Sequence, residues 1–229
     1  MFIELRSGDE RPHVDLRRGA LIPRLVSTGP QHATVAVTAG GALLLAGDEV
    51  RIEIRVDPGC TLRLEDVGGT VAYGGDARSH WSADISLAAD ATLVWDALPF
   101  VLADDARVDR DTTVRLASGA VACLRETLVF GRTGEEGGSI VASTAASIEG
   151  RPLFHESLEL DGYDPQIGVL GAHRVMDSAL CLGRRHDEAP VPALQLDEPG
   201  TIVRALGDQT HLATVESTWR DWTLAARHD

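Results

Sequence analysis

The sequence predicts a mostly β fold, with stacked, solenoid-like β-sheets and one short C-terminal α-helix. Three observations carry that expectation. Apolar and charged residues alternate with period two over several runs, and 23 glycines punctuate them. A strand–turn–strand pattern also recurs about every 30 residues.

The elements follow in chain order. Val50-Arg51-Ile52-Glu53-Ile54-Arg55-Val56 alternates strictly between apolar and charged side chains, as a strand with one buried face does. Asp57-Pro58-Gly59 is a turn signal, and Thr61-Leu62-Arg63-Leu64 resumes the alternation. Similar runs lie at Trp81–Leu87, Thr92–Trp95, Val114–Leu116, Ala120–Phe130, Ser139–Ile148, Leu153–Leu160 and Thr201–Leu206. Val56–Leu62, Leu87–Leu93 and Leu116–Ala122 resemble one another, with turns centred on Gly59, Asp90 and Gly119. Repeats of this kind suggest stacked units that share a core, although hairpins of a sandwich would give a similar pattern. Gly183–Pro199, with Asp187, Glu188, Pro190 and Pro192, reads as an irregular loop. Val215, Trp219, Trp222 and Ala226 fall at helical spacing, which places a helix at about residues 212–227. Its tryptophan face either packs on a sheet or anchors a partner, and Trp219 and Trp222 are the candidate partner-binding residues. The whole chain, 1–229, is expected to form one domain.

Composition excludes several functions. All 21 basic residues are arginine, so a Schiff-base lysine, a pyridoxal phosphate linkage and a Walker-type phosphate loop are ruled out. A net charge of −14 argues against nucleic acid and anionic membranes as partners. Cys60, Cys123 and Cys181 are far apart, form no C-x-x-C pair and give no disulfide framework, which fits a reducing compartment. Met1–Leu5 lacks the basic start of a signal peptide, and no stretch approaches the roughly 20 apolar residues of a membrane span, so the expected location is cytoplasmic.

Motifs for chemistry are sparse. No two of the eight histidines stand two, three or four apart, and neither H-E-x-x-H nor G-x-S-x-G occurs. Plentiful Asp and Glu leave room for an enzyme, sandwich or β-solenoid, using carboxylate acid–base chemistry, though aromatic residues to stack a sugar are only 4% of the chain. An unrelated β interaction module is a further alternative. Two places draw attention. Asp48 closes the turn Ala46-Gly47-Asp48 before a strand, where it would brace the turn. Glu126 stands between Leu124 and Leu128 on an apolar strand face, where a carboxylate needs a partner such as Arg132, or lines a polar internal path.

Several segments together resemble the urease accessory protein UreD (UreH) family. They are Leu45-Ala46-Gly47-Asp48-Glu49-Val50-Arg51-Ile52, Val56–Cys60, Thr70–Tyr73, Ala91–Trp95, Leu124–Arg132, Gly150–Leu153 and the tail from Val203 through the tryptophan-bearing helix. The likeness covers nearly the whole chain in order. Departures include Ala46 where the family has glycine, Val71 where it often has lysine, and Val94 and Ala97 around Trp95. The resemblance implies a non-catalytic, cytoplasmic β scaffold or chaperone that assists nickel insertion into apo-urease. It implies two partners besides urease, a helical accessory protein (UreF-like) and a GTPase (UreG-like). It implies no tightly bound cofactor but nickel in transit along an internal path. Asp48, Thr70 and Glu126 match polar positions of that path, where weak, dispersed oxygen contacts suit a moving divalent ion.

Overall fold

A computed structural model describes residues 1–186 and 192–225. The chain opens with β1 (Phe2–Arg6), β2 (His13–Arg17), β3 (Leu21–Thr28) and β4 (His32–Ala39). Three coils follow. The first is β5 (Glu49–Val56), β6 (Thr61–Asp66) and β7 (Thr70–Ala72), and the second is β8 (Ser79–Leu87), β9 (Thr92–Asp96) and β10 (Phe100–Leu102). The third is β11 (Arg107–Leu116) with the long β12 (Val121–Phe130). Then come β13 (Ser139–Ile148), β14 (Arg151–Asp161), β15 (Val175–Leu182), β16 (Ala193–Gln195), β17 (Gly200–Gly207) and α1 (Glu216–Ala225).

Equivalent strands of successive coils pair in parallel, so the solenoid-like expectation holds. The first ladder is β5-β8-β11-β13 and the second is β4-β6-β9-β12. A third, short ladder joins β7 and β10 to the second half of β12. Register is kept through the coils. Val56, Leu87 and Leu116 share one rung, and Thr61, Thr92 and Val121 share another.

The sequence repeat is the corner between the first two ladders. Gly59, Asp90 and Gly119 occupy equivalent corners at φ of 66°, 57° and 71°, a left-handed conformation that favours glycine and tolerates Asp. The corners stack tightly, and a Cβ on Gly119 would stand 2.0 Å from Asp90 Oδ1. At the next corner Glu149 and Gly150 both take positive φ, and the chain reverses into the antiparallel β13–β14 hairpin that ends the stack.

Alternation sorts the side chains. Val50, Ile52, Ile54 and Val56 of β5 are buried, while Arg51 and Arg55 face outward and pair with Glu49 and Glu53. Most of the interior between the sheets is aliphatic, with Leu62, Leu64, Ile85, Leu93 and Phe130 among its fully buried members. A second, smaller cluster lies outside the second sheet, where α1 covers β12, β15 and β17.

Several elements depart from expectation. Strands β1 to β4 and the short β7 and β10 lie outside the expected runs, as does β15, whose eight residues are all buried and therefore show no alternation. The expected loop Gly183–Pro199 contains β16, and its residues 187–191, including Asp187, Glu188 and Pro190, lie outside the described residues. The helix begins near residue 215 rather than 212, because Thr214 Oγ1 accepts the Glu216 N–H at 3.1 Å and caps it. Before it, residues 209–213 form a turn, in which Leu212 and Ala213 both donate to the Gln209 carbonyl. Ala226 and Arg227 of the expected helix lie outside the described residues.

Candidate functional site: a polar seam between the sheets

The aliphatic interior changes character at the third coil. The inward stripe of β11 reads Val108, Arg110, Thr112, Val114, so two polar residues interrupt an apolar face. In register with Thr112 come Thr144 of β13 and then Glu156 of β14. On the opposite sheet Glu126 of β12 is in register with Ser178 of β15 and Arg204 of β17. Two ion pairs close the gap between these rows. Arg110 Nη2 meets Glu126 Oε1 at 2.6 Å, and Arg204 Nη1 donates to Glu156 Oε1 at 2.9 Å.

Glu126 is therefore paired as its apolar setting required, but with Arg110 and not with Arg132. Arg132 is taken by Glu135, three residues on in the same turn, whose carboxyl it holds down at about 2. Arg110 is only 12% exposed, and its guanidinium lies 4.9 Å from the Phe100 ring and 5.6 Å from the Trp81 ring, themselves edge to face. Both aromatic contacts favour the cation in place of lost water.

A cavity of about 50 Å³ opens beside this pair, lined by Trp81, Arg110, Thr112, Glu126 and Thr144 among others. The Trp81 indole Nε1 is buried without a hydrogen-bond partner. The space is large enough for a water molecule, and its polar lining offers partners for one. At the edge of the same region Asp66 accepts from Trp95 Nε1 and from the Leu98 N–H, both at 3.2 Å. Burial nevertheless pushes the Asp66 carboxyl above the ordinary value, and does the same to Asp96.

The other sequence-derived candidates are placed apart. Asp48 sits in the turn before β5, where its Oδ2 accepts the Leu45 N–H at 2.9 Å, the bracing role that a turn aspartate ordinarily plays. Thr70 heads β7 in register with Phe100, so it lies one residue from the ring that supports Arg110. Asp48 and Thr70 do not line the cavity beside Glu126. Trp219 and Trp222 are each 3% exposed and pack on Val94, Val121, Cys123, Cys181 and Val203, so the indoles face the sheet and not solvent.

Residues that sequence reasoning missed matter as much. Asp177 is 1% exposed and fully engaged, accepting from Arg125, from Thr127 Oγ1 at 2.9 Å and from the Val215 N–H at 3.0 Å. Arg125 also binds Glu216, so one buried carboxylate and one arginine fasten the start of α1 to the sheet. Asp177 carries no periodic signal, because its strand is buried on both faces and shows no alternation. Arg110 does carry one, as the charged member of the inward stripe of β11.

Fold and site define a class: a solenoid-like β protein whose interior carries paired charges and hydroxyls along one seam. Among the described residues no group of three or more His, Cys, Asp or Glu side chains is gathered as metal ligands would be. No helix among them is long and apolar enough to cross a membrane. The chain belongs to the urease accessory protein UreD family, whose model, described as UreD urease accessory protein, matches residues 14–226. It is similar to Urease accessory protein UreD 1 of Streptomyces griseus subsp. griseus, 43% identical over 201 residues that cover 84% of this chain and 77% of that one. Urease accessory protein UreD 2 of Saccharopolyspora erythraea is 31% identical over 85% of this chain and 75% of its own length. Urease accessory protein UreD of Streptomyces coelicolor is 29% identical, with 87% of this chain and 85% of that one covered.

Proposed function

We propose that this chain is a non-catalytic, cytoplasmic scaffold of urease maturation, and that nickel passes along its polar seam on the way to apo-urease. The observation that carries this reading is the row of inward polar residues. Arg110, Thr112, Glu126, Thr144, Glu156, Ser178 and Arg204 lie in register or in ion pairs across the sheets of an otherwise aliphatic stack. A moving cation needs oxygen contacts that are individually weak, and paired carboxylates and hydroxyls supply them.

Nickel is cargo in this reading and no cofactor is held tightly. Glu126 is the central contact, and Arg110 competes with the ion for its carboxylate. Asp48 and Thr70 serve at the near side of the path. The partners are a helical accessory protein, a nickel-carrying GTPase and apo-urease. Trp219 and Trp222 contribute by holding α1 against the sheet, so that its outer side, with Leu224 48% exposed, presents a platform to the helical partner.

The test is co-expression of the tagged chain with both accessory proteins and apo-urease. Stoichiometric recovery of the accessory complex, with a Glu126→Gln variant that still assembles but activates urease more slowly, supports the reading. Failure to recover either accessory protein rejects the scaffold role. Full activation by the variant rejects the path through Glu126.

A further inference from the structure

Antiparallel pairing of β12 with β15 sets Cys123 directly opposite Cys181, 58 residues on, and brings their Sγ atoms to 3.5 Å. Both side chains lie on the outer face of the second sheet, 1% and 0% exposed, in the cluster that Val215, Trp219 and Trp222 of the helix region cover. Directly opposed residues of an antiparallel pair have Cα atoms about 4.5–5.5 Å apart. That is within the roughly 4.4–6.8 Å a disulfide spans, so rotation about the two Cα–Cβ bonds suffices to bond the sulfurs. Cys60, the third cysteine, is buried in the other cluster, at the corner between β5 and β6.

The pair is quiet while the helix is seated. The contact with Cys123, and then burial, push the Cys181 thiol well above the ordinary range, and a thiol rather than a thiolate is a poor nucleophile. The seat is itself a defined clasp, since Asp177 accepts the Val215 N–H and Glu216 binds Arg125.

We propose that Cys123 and Cys181 form a latent cross-strand disulfide site, gated by α1 and oxidised by a low-molecular-weight disulfide only when the helix leaves the sheet. The thiolate of one cysteine attacks the small disulfide, whose sulfur–sulfur bond breaks, and the first small thiol departs. The second cysteine then attacks the mixed disulfide, the Cys123–Cys181 bond forms and the second small thiol leaves. Both cysteine protons end on the two released thiols. The cysteines lose two electrons, and the small disulfide gains them. Oxidation fixes β12 to β15, so the modification records whether α1 has been displaced.

The full chain is incubated with oxidised glutathione under native conditions, quenched by acid and mapped by mass spectrometry without reduction. The expected product is a Cys123–Cys181 linked peptide, two hydrogens lighter than its parts, formed slowly in the parent and unchanged by Cys60→Ser. Trp222→Ala and Glu216→Ala should each accelerate it by on the order of tenfold or more, because exchange follows the open population. Glu216→Ala keeps the test usable if Trp222→Ala does not fold, since Glu216 is a partly exposed member of the clasp. Equal rates in parent and helix variants would overturn the gating. Glutathione adducts that never close, or links that favour Cys60, would overturn the site.

Discussion

At the scale of single residues, charge burial governs this molecule. Asp177 holds one partly buried arginine, one hydroxyl and one backbone N–H. Replacing it with Ala strands Arg125 and frees the helix start, so Asp177→Ala should destabilise the fold by about 3–5 kcal/mol in urea denaturation. A loss within about 0.5 kcal/mol would mean that the carboxylate is not the clasp. Glu149 tests the corner geometry in the other direction. It holds φ at 50°. Glu149→Gly should therefore raise stability by roughly 0.5–1 kcal/mol, the left-handed penalty less the entropy glycine loses on folding. Residues that act through a stripe were readable, as Glu126 was from Leu124 and Leu128. The identity of its partner was not, because Arg110 lies on another strand, and strand pairing decides which arginine is near.

At the scale of elements, α1 depends on what it covers. Trp219→Ala should cost about 3–5 kcal/mol of stability and detach the helix, read as lost helical signal and faster amide exchange in β12 and β15. Acid should loosen the same contact. Burial pushes the Glu216 carboxyl up, but bonds from Arg125 and Arg220 outweigh it and hold the folded-state value below 4.5. A depressed value stabilises above the unfolded one and ceases to as pH falls through the folded one. Parent stability relative to Glu216→Gln should thus be greatest above about pH 4.5 and shrink below it. Asp96, raised by burial, works in the opposite sense, so the reading is the difference between parent and Glu216→Gln and not the parent's own pH profile. A pH-independent difference would show that Glu216 is not bonded in solution. Element by element, strands with one polar face declared themselves, as β5 did. β15 did not, being buried on both faces, and neither did β4, whose alternation of Ala and Val with Thr is weak in hydrophobicity.

At the scale of the whole molecule, the fold is a stack whose first coils bury hydrocarbon and whose last coils bury charge. The corner at Gly59, Asp90 and Gly119 made the stack legible, since each coil must turn through the same left-handed position. The polar seam was less so. Its far half is assembled from β14, β15 and β17, which reach it by antiparallel returns that no local pattern encodes. The proposed nickel path runs along this seam, with Glu126 at its centre and Arg110 paired to it. The most direct measurement is nickel-dependent activation of apo-urease by the full accessory complex, assembled with the parent chain or with Asp48→Ala plus Glu126→Ala. The double variant should assemble in the same stoichiometry, yet activate urease markedly more slowly at limiting nickel. Equal activation by an equally assembled complex would contradict passage of nickel along the seam.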